Sequence, residues 1–545
     1  MFPTSYKLGS RIVLAGLILV GASILSAPEK TQAADPRLNV ALPSFPVTLN
    51  GQTVDNRNRE YPLIVYKDIT YFPMTWFDSR YLGLENRWSP DQGLTVQQSS
   101  ITAAYHPYAS AKANTASSYR AELAEGPITV NGQAIDNRTE EYPLLSFRNI
   151  TYFPLTWRYA HDAFNWEYDW SESSGLSIRS SNPKVKDAGL PDYAASNGFA
   201  VYKGYYYFAE TEGAQNHIYR SPVSNPGDKK HIYAYEYSTS YGNNTLLGFN
   251  VRDDALWINY HTGGATMGSD HYVKLNEDGT VEKELSGYID FTSTPLGRVI
   301  INYGVPPFGN NLYLVPPGQS YPSENMPNMQ IGNPSMMYGW SILPSEGGGI
   351  SYGRGSLEVA GTSVYVLGSP YPVTDANRAE TNRIWKINLK SGKQTAVTAG
   401  GISRFTLTED GRILYVKAAD GLLYASDLNG QQEMLLSGEH KVDRYYLVGD
   451  TVFFTVLVEG WMNQLFKVEY GQEPKEVRQN YFAPVYFTKD RILAQTLGRE
   501  LSLNIYDSRG EVQLRIEGIV EALFTDGEQL LFKLEGETSL KTLQY

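Results

Sequence analysis

Cysteine is absent from all 545 residues. That excludes disulfides, thiolate metal ligands and thiol nucleophiles together. It also removes the lipid-bearing cysteine of a bacterial lipoprotein. Histidine is scarce: there are seven, and no two are spaced His-x-His. Positive charge is short as well, 46 Lys and Arg against 58 Asp and Glu, for a formal net charge of −12. Phosphate binding needs a basic footprint, so nucleic acid is excluded as a partner. Only one long apolar run exists, residues 12–25. Lys7 and Arg11 precede it, and Thr31-Gln32-Ala33-Ala34 follows it. It is too short for a membrane span and reads as a signal peptide over 1–34, with the mature chain starting near Asp35. No membrane span is expected in the mature chain. An exported chain of this size without disulfides points to a Gram-positive bacterium. The sequence holds no Gly-x-Ser-x-Gly, no His-Glu-x-x-His, no phosphate loop and no Asp-Gly pair in a calcium-loop pattern. No catalytic residue, metal or cofactor is therefore assigned.

What the chain has in quantity is aromatic residues, 13% of the total, with 41 Tyr. Some of them recur in order. ITYFPMTW at 69–76 returns as ITYFPLTW at 150–157, and residues 47–76 match 128–157 at 18 positions. This is an internal duplication. Each copy opens on Asn-Gly (Asn50-Gly51, Asn131-Gly132), the dipeptide of a tight type I′ hairpin. A second strand pair turns at Lys67-Asp68. A helix is expected from Pro73 to Leu82, ending at Gly83; its counterpart runs to Phe164 and ends at Asn165. A last hairpin spans Trp88 to Val96 and Trp170 to Ile178. Tyr71, Phe72 and Trp76, with Tyr152, Phe153 and Trp157, are expected to pack helix on sheet.

This order of hairpins, Pro-Met/Leu, helix and Trp-x5-Leu-x-Val/Ile resembles the copper amine oxidase-like N-terminal domain, a stalk module of exported proteins. The resemblance covers 45–99 and 126–180. Thr75 and Thr156 stand where that family often has Arg. The resemblance implies two small α+β stalk-like modules, not oxidase chemistry. A quinone-forming Tyr would need an Asn-Tyr-acid context, whereas Asn259-Tyr260, Asn302-Tyr303 and Asn480-Tyr481 precede His, Gly and Phe. The expected organisation is module 1 at 45–99, a linker at 100–125, module 2 at 126–181 and a second linker at 182–196.

From 197 to 545 the texture changes. Short aromatic and β-branched strands alternate with Gly/Asp turns such as Lys203-Gly204, Asp253-Asp254, Asp410-Gly411 and Asp526-Gly527. A repeating unit of four short strands predicts a β-propeller, eight blades favoured and seven possible. The last unit is short by about one strand, which the 182–196 segment is placed to supply. One stretch breaks the period. Residues 319–354 hold four of the nine Met and many aromatics, and read as a loop over one mouth of the propeller or as a ligand loop. Its candidate ligand-binding residues are Tyr321, Tyr338, Trp340, Tyr352 and Arg354. The fold class is thus mainly β: two small α+β stalk-like modules followed by a C-terminal β-propeller. The functional expectation is a secreted or cell-wall-associated, non-catalytic binding protein for an extracellular protein or cell-wall polysaccharide. The stalk modules would serve as spacer or anchor. The alternatives are a propeller-fold enzyme acting on extracellular polysaccharide and a purely structural spacer.

Overall fold

The computed structural model describes residues 37–236, 247–264, 268–344, 350–477, 481–498 and 501–545. The signal-peptide reading of 1–34 lies outside the described residues. The chain is mainly β. Among the described residues no helix is long and apolar enough to cross a membrane.

Both Asn-Gly hairpins form. Asn50 and Gly51 have φ of 49° and 86°, and Asn131 and Gly132 have 48° and 80°, the paired positive values of a type I′ turn. The second strand pair of each copy follows, Ile64–Tyr66 with Ile69–Pro73 and Leu145–Phe147 with Ile150–Pro154. The helix departs from expectation. Pro73 closes a strand, and the helix starts three residues later, at Trp76–Tyr81. Thr75 caps it, its hydroxyl accepting from the Asp78 backbone N–H at 3.2 Å. In copy two the extra residue is absorbed as a wider π-helical segment, Trp157–Ala163.

The two copies do not fold as separate modules joined by a linker. One six-stranded sheet contains the paired strands of both copies, with Phe72 registered against Phe153 at its centre. Each copy also lends its first hairpin to the other's last hairpin, through parallel pairing of Val47–Leu49 with Gly175–Arg179 and of Ile128–Val130 with Gly93–Gln98. The close approach requires glycine. A Cβ on Gly93 or Gly175 would lie 2.0 Å from the carbonyl oxygen of Pro127 or Pro46. The segment expected as linker 100–125 contributes Tyr119–Leu123 to the shared sheet. A unit near 60 residues buries only about 60% of its unfolded surface, so fusion gives two marginal units one core. That core holds Leu49, Leu63, Phe72, Phe153 and Ile178 at 0% exposure. Burying each such side chain stabilises the fold by about 1.5–3 kcal/mol. Phe72 and Phe153 pack against the helical segments as expected, whereas Tyr71 and Tyr152 are buried on the sheet's other face, and Trp76 and Trp157 are 37% and 59% exposed. As first residues of their helical segments they sit at the end of the core-facing stripe. Trp166 fills the core in their place, its indole N–H donating to Leu82 O at 2.7 Å.

Among the described residues from Phe199 onward, antiparallel sheets follow in chain order, led by strands Phe199–Tyr202, Gly248–Arg252, Ile289–Thr294, Leu357–Ala360, Ile402–Leu407, Arg444–Val448, Phe482–Phe487 and Val520–Thr525, with the pair Trp340–Pro344 and Ile350–Arg354 apart from them. The sixth and seventh are also joined edge to edge, at Asn463 and Phe482. Strand alternation sends side chains to both neighbours. In Ala255–Thr262, Leu256, Ile258 and Tyr260 join the first sheet's core, while Trp257 joins the third's. A buried cluster of this kind lies between each sheet and the next. An eighth cluster returns to the start, packing Phe199, Val201, Tyr206 and Phe208 against Leu531 and Leu540. The sheets therefore close into a propeller-like ring, in which Phe199–Tyr202 touches the leading strands of both its neighbours, Val520–Thr525 and Gly248–Arg252, and Leu357–Ala360 touches those of its own, Ile289–Thr294 and Ile402–Leu407. The last sheet has three strands of its own and takes a fourth, Lys186–Asp187, from the 182–196 segment; Lys186 registers with Thr542 and Asp187 with Lys541.

The repeat unit lies against the seventh and eighth sheets. Ile101–Thr102 pairs in parallel with the outer strand Val512–Glu517. Glu517 accepts from the Trp76 indole N–H at 2.9 Å and from Arg80 Nε at 3.0 Å. Arg515 meets Glu85, and His106 Nε2 meets Glu537 at 2.7 Å.

Candidate functional site

A cavity of 320 Å³ opens beside the first strands of the second and third sheets. Its polar groups come from six places in the chain. Strand Ala255–Thr262 carries Asn259 and His261, and strand Ser269–Leu275 carries Asp270 and Tyr272. His261 and Asp270 are direct cross-strand partners, so the imidazole Nδ1 donates to Asp270 Oδ1 at 2.9 Å. The other oxygen of Asp270 accepts from Arg354 at 3.3 Å. The Arg354 guanidinium also sits over the Tyr303 ring, 5.1 Å from its centroid. Across the cavity Arg252 donates to Asp290 Oδ1 at 3.2 Å and to Phe291 O at 2.8 Å. Tyr272 is fixed by its hydroxyl, which donates to Ile289 O at 2.9 Å, and burial pushes that phenol up to about 12. Asn259 lines the same space with its Oδ1 buried and without a partner among the described residues.

Glu358 stands nearby, on Leu357–Ala360. It keeps a partial solvent face, but protein surrounds it. Loss of water pushes its carboxyl up to about 7; the Thr406 hydroxyl, donating at 3.2 Å, opposes the rise, and the negative charge of Asp290 adds to it. Asp290, ion-paired to Arg252 at 3.2 Å, is thus close enough to Glu358 for its charge to be felt there. The two arginines and His261 each answer a carboxylate. The site thus offers fixed donors and acceptors with little free charge.

The structure divides the five residues expected to bind ligand. Tyr321, Tyr338 and Trp340 are buried, at 7%, 0% and 8% exposure, and do not line this cavity; Tyr321 lines a separate one of 470 Å³ beside the third sheet. Tyr321 accepts from Asn302 at 2.8 Å, Tyr338 donates to Gln394 at 2.8 Å, and Trp340 packs edge-on against Tyr303 at 4.9 Å. Tyr352 is exposed against the other side of Trp340, at 5.6 Å. Arg354 alone lines the cavity. The 319–354 stretch is in part regular structure. Met336–Tyr338 pairs with Ser363–Pro370 in the fourth sheet, and Trp340–Pro344 pairs with Ile350–Arg354. Met329 and Met337 are buried in the clusters that join the third sheet to its neighbours. Sequence reasoning missed Arg252, His261, Asp270 and Asp290. The available signal was a charged pair inside otherwise aromatic strands, His261 and Asp270 flanking the Gly-rich sequence 263–268.

No family model matches the chain, and no curated protein matches it. Solved structures resemble its arrangement of sheets. The computationally designed Ika8 protein is 11% identical, with a TM-score of 0.38 over 66% of this chain and 98% of its own. BamB from Moraxella catarrhalis is 10% identical, with a TM-score of 0.38 over 66% and 100%. Virginiamycin B lyase from Staphylococcus aureus is 12% identical, with a TM-score of 0.30 over 67% and 100%.

Proposed function

We propose that this chain is an exported, non-catalytic binding protein of the bacterial surface or cell wall, released after removal of residues 1–34. In this reading its eight sheets are the blades of an eight-bladed propeller. The fused repeats, which resemble paired copper amine oxidase-like N-terminal domains, are its spacer or anchor. The observation that carries the reading is the cavity between Arg354 and Asp290. Its charges are paired within the protein, so it is preorganised to hydrogen-bond a polar partner, and Asn259 Oδ1 is an acceptor waiting for a donor. The partner class is an extracellular protein or a cell-wall polysaccharide. The test is co-sedimentation of the mature protein with isolated cell walls, and capture of proteins from culture supernatant. Arg354→Ala and Asp270→Ala should each weaken whichever binding is found by about tenfold or more. Binding unchanged in both variants would remove the cavity from the function.

A second reading has an observation of its own. Glu358, pushed up to about 7, has the Asp290 carboxyl group within electrostatic reach, and polysaccharide hydrolysis uses two carboxyl groups, one of them with a raised pKa. Release of reducing ends from wall or extracellular polysaccharide, abolished in Glu358→Gln, would favour that enzyme over the binding protein.

A further inference from the structure

The duplication is a comparison the molecule makes with itself. Two tryptophan positions survive in both copies, Trp76 with Trp157 and Trp88 with Trp170. None of the four is in the core: their exposures are 37%, 59%, 71% and 54%. Core packing therefore does not account for them. In copy one the helical position has a partner, since Trp76 donates to Glu517 and carries the Arg80 guanidinium over its ring at 3.1 Å. The equivalent face of copy two has no such partner among the described residues, and its chemistry differs. Where copy one places Asn86, copy two places Tyr168, against Trp157 at 6.2 Å between centroids. Tyr168 and Trp170 are two residues apart on strand Glu167–Ser171, so they share a face at a spacing of roughly 7 Å. Trp170 is braced in turn by Phe45 at 4.4 Å, and Trp157 is backed by the stacked His161 ring at 4.0 Å. The result is an aromatic row, Trp157–Tyr168–Trp170, whose two indoles are each held from one side and open on the other.

The flanks identify the occupant. Beside Trp157, Arg158 is bonded to Glu140 at 2.6 Å and His161 to Asp162 at 2.9 Å, while on the opposite face of the hairpin Arg179 is bonded to Asp169 and Glu167. Each of these three cations already answers a carboxylate, so none of them offers a polyanion an open charge. An apolar protein partner would not suit a row bordered this closely by charged pairs. A neutral polysaccharide would: its sugar rings present flat C–H faces to stack on indoles, and its hydroxyls can join the bordering carboxylates and guanidiniums. We infer that the Trp157–Tyr168–Trp170 face of the second repeat binds a neutral polysaccharide chain by ring stacking. The preformed indole positions lower the cost of ordering on binding.

This deepens the reading of the repeats as an anchor and is tested apart from the propeller cavity. The full mature protein is sedimented with cellulose, with chitin and with peptidoglycan stripped of anionic polymers. At least one should retain it, and retention should persist in high salt, because stacking is not screened. Trp157→Ala and Trp170→Ala should each weaken retention by about tenfold, while Trp461→Ala, at a 60% exposed tryptophan of the sixth sheet, should not. All three sites are exposed, and unchanged thermal unfolding confirms folded variants. Failure of the unmodified protein to bind any of the three polymers overturns the inference. So does binding that survives the double Trp variant. If Arg354→Ala and Asp270→Ala abolish glycan retention and the Trp variants keep it, this inference falls while the cavity reading stands.

Discussion

Glu358 shows how one residue can be wetted and yet poorly solvated. It keeps part of its surface exposed, but surrounding protein and the nearby Asp290 make its charged form costly, and its carboxyl rises from 4.5 to about 7. The folded state then holds the proton more tightly than the unfolded chain does. Its contribution to stability is full below about pH 4.5 and is lost as pH rises through about 7. Glu358→Gln keeps the shape and the Thr406 contact and removes the titration. Relative to that variant, the native protein should lose about 1–2 kcal/mol between pH 4.5 and pH 8, once its partial exposure is allowed for. Parallel denaturant titrations of the two proteins across that range check this. Identical pH profiles would mean that the carboxyl titrates normally, and the hydrolase reading would lose its acid. Little of this was legible in the sequence. Residues 252, 261, 270, 290 and 354 meet only because two sheets and an inserted hairpin converge, and no spacing rule connects them.

At the scale of elements, what could be read is what glycine and asparagine impose locally. Asn50-Gly51 and Asn131-Gly132 specify their turns by φ alone, so the hairpins were legible. The exchange of those hairpins between copies was not, because a parallel pairing of three residues leaves no periodic trace. Gly93 and Gly175 are its hidden requirement. Each has a positive φ, and each would drive a Cβ into a carbonyl oxygen of the other copy. Gly93→Ala and Gly175→Ala should therefore cost well over the ~1 kcal/mol of a simple conformational penalty, on the order of 3 kcal/mol each. Gly51→Ala is the control, with φ of 86° and nothing within 4 Å of the added carbon. It should cost about 1 kcal/mol. Calorimetry that ranks all three alike would mean the hairpins are not held in the exchanged register. The tryptophans teach a related lesson. An aromatic repeat reads as core from its composition, and only the helix start at Trp76, after the Thr75 cap, shows which rings are turned outward.

At the scale of the molecule, the ring and the repeat unit are joined by chemistry that neither would need alone. The ring was legible from the spacing of its turns, and the short last unit pointed to a borrowed strand. The attachment of the repeat unit was not legible, because its partners are more than 400 residues apart. Glu517 is the central group: it faces the Trp76 indole and the Arg80 guanidinium, and Arg80 is 2% exposed. Removing the carboxylate from a buried cation costs about 3–5 kcal/mol, because the charge stays buried without its counterpart. Glu517→Ala should place that loss at the junction and leave both cores intact. If the junction couples the two parts, the native chain melts in one calorimetric transition. The variant should then show two, with the repeat unit unfolding first and the ring, closed by its eighth cluster, unfolding later. Adding Arg80→Leu to the Glu517→Ala background removes the stranded charge and should recover much of the lost stability. Two separate transitions already present in the native protein would mean that the contacts at Glu517 do not bind the repeat unit to the ring. The unit would then act as a tethered module, free to engage a polymer at a distance from the propeller cavity.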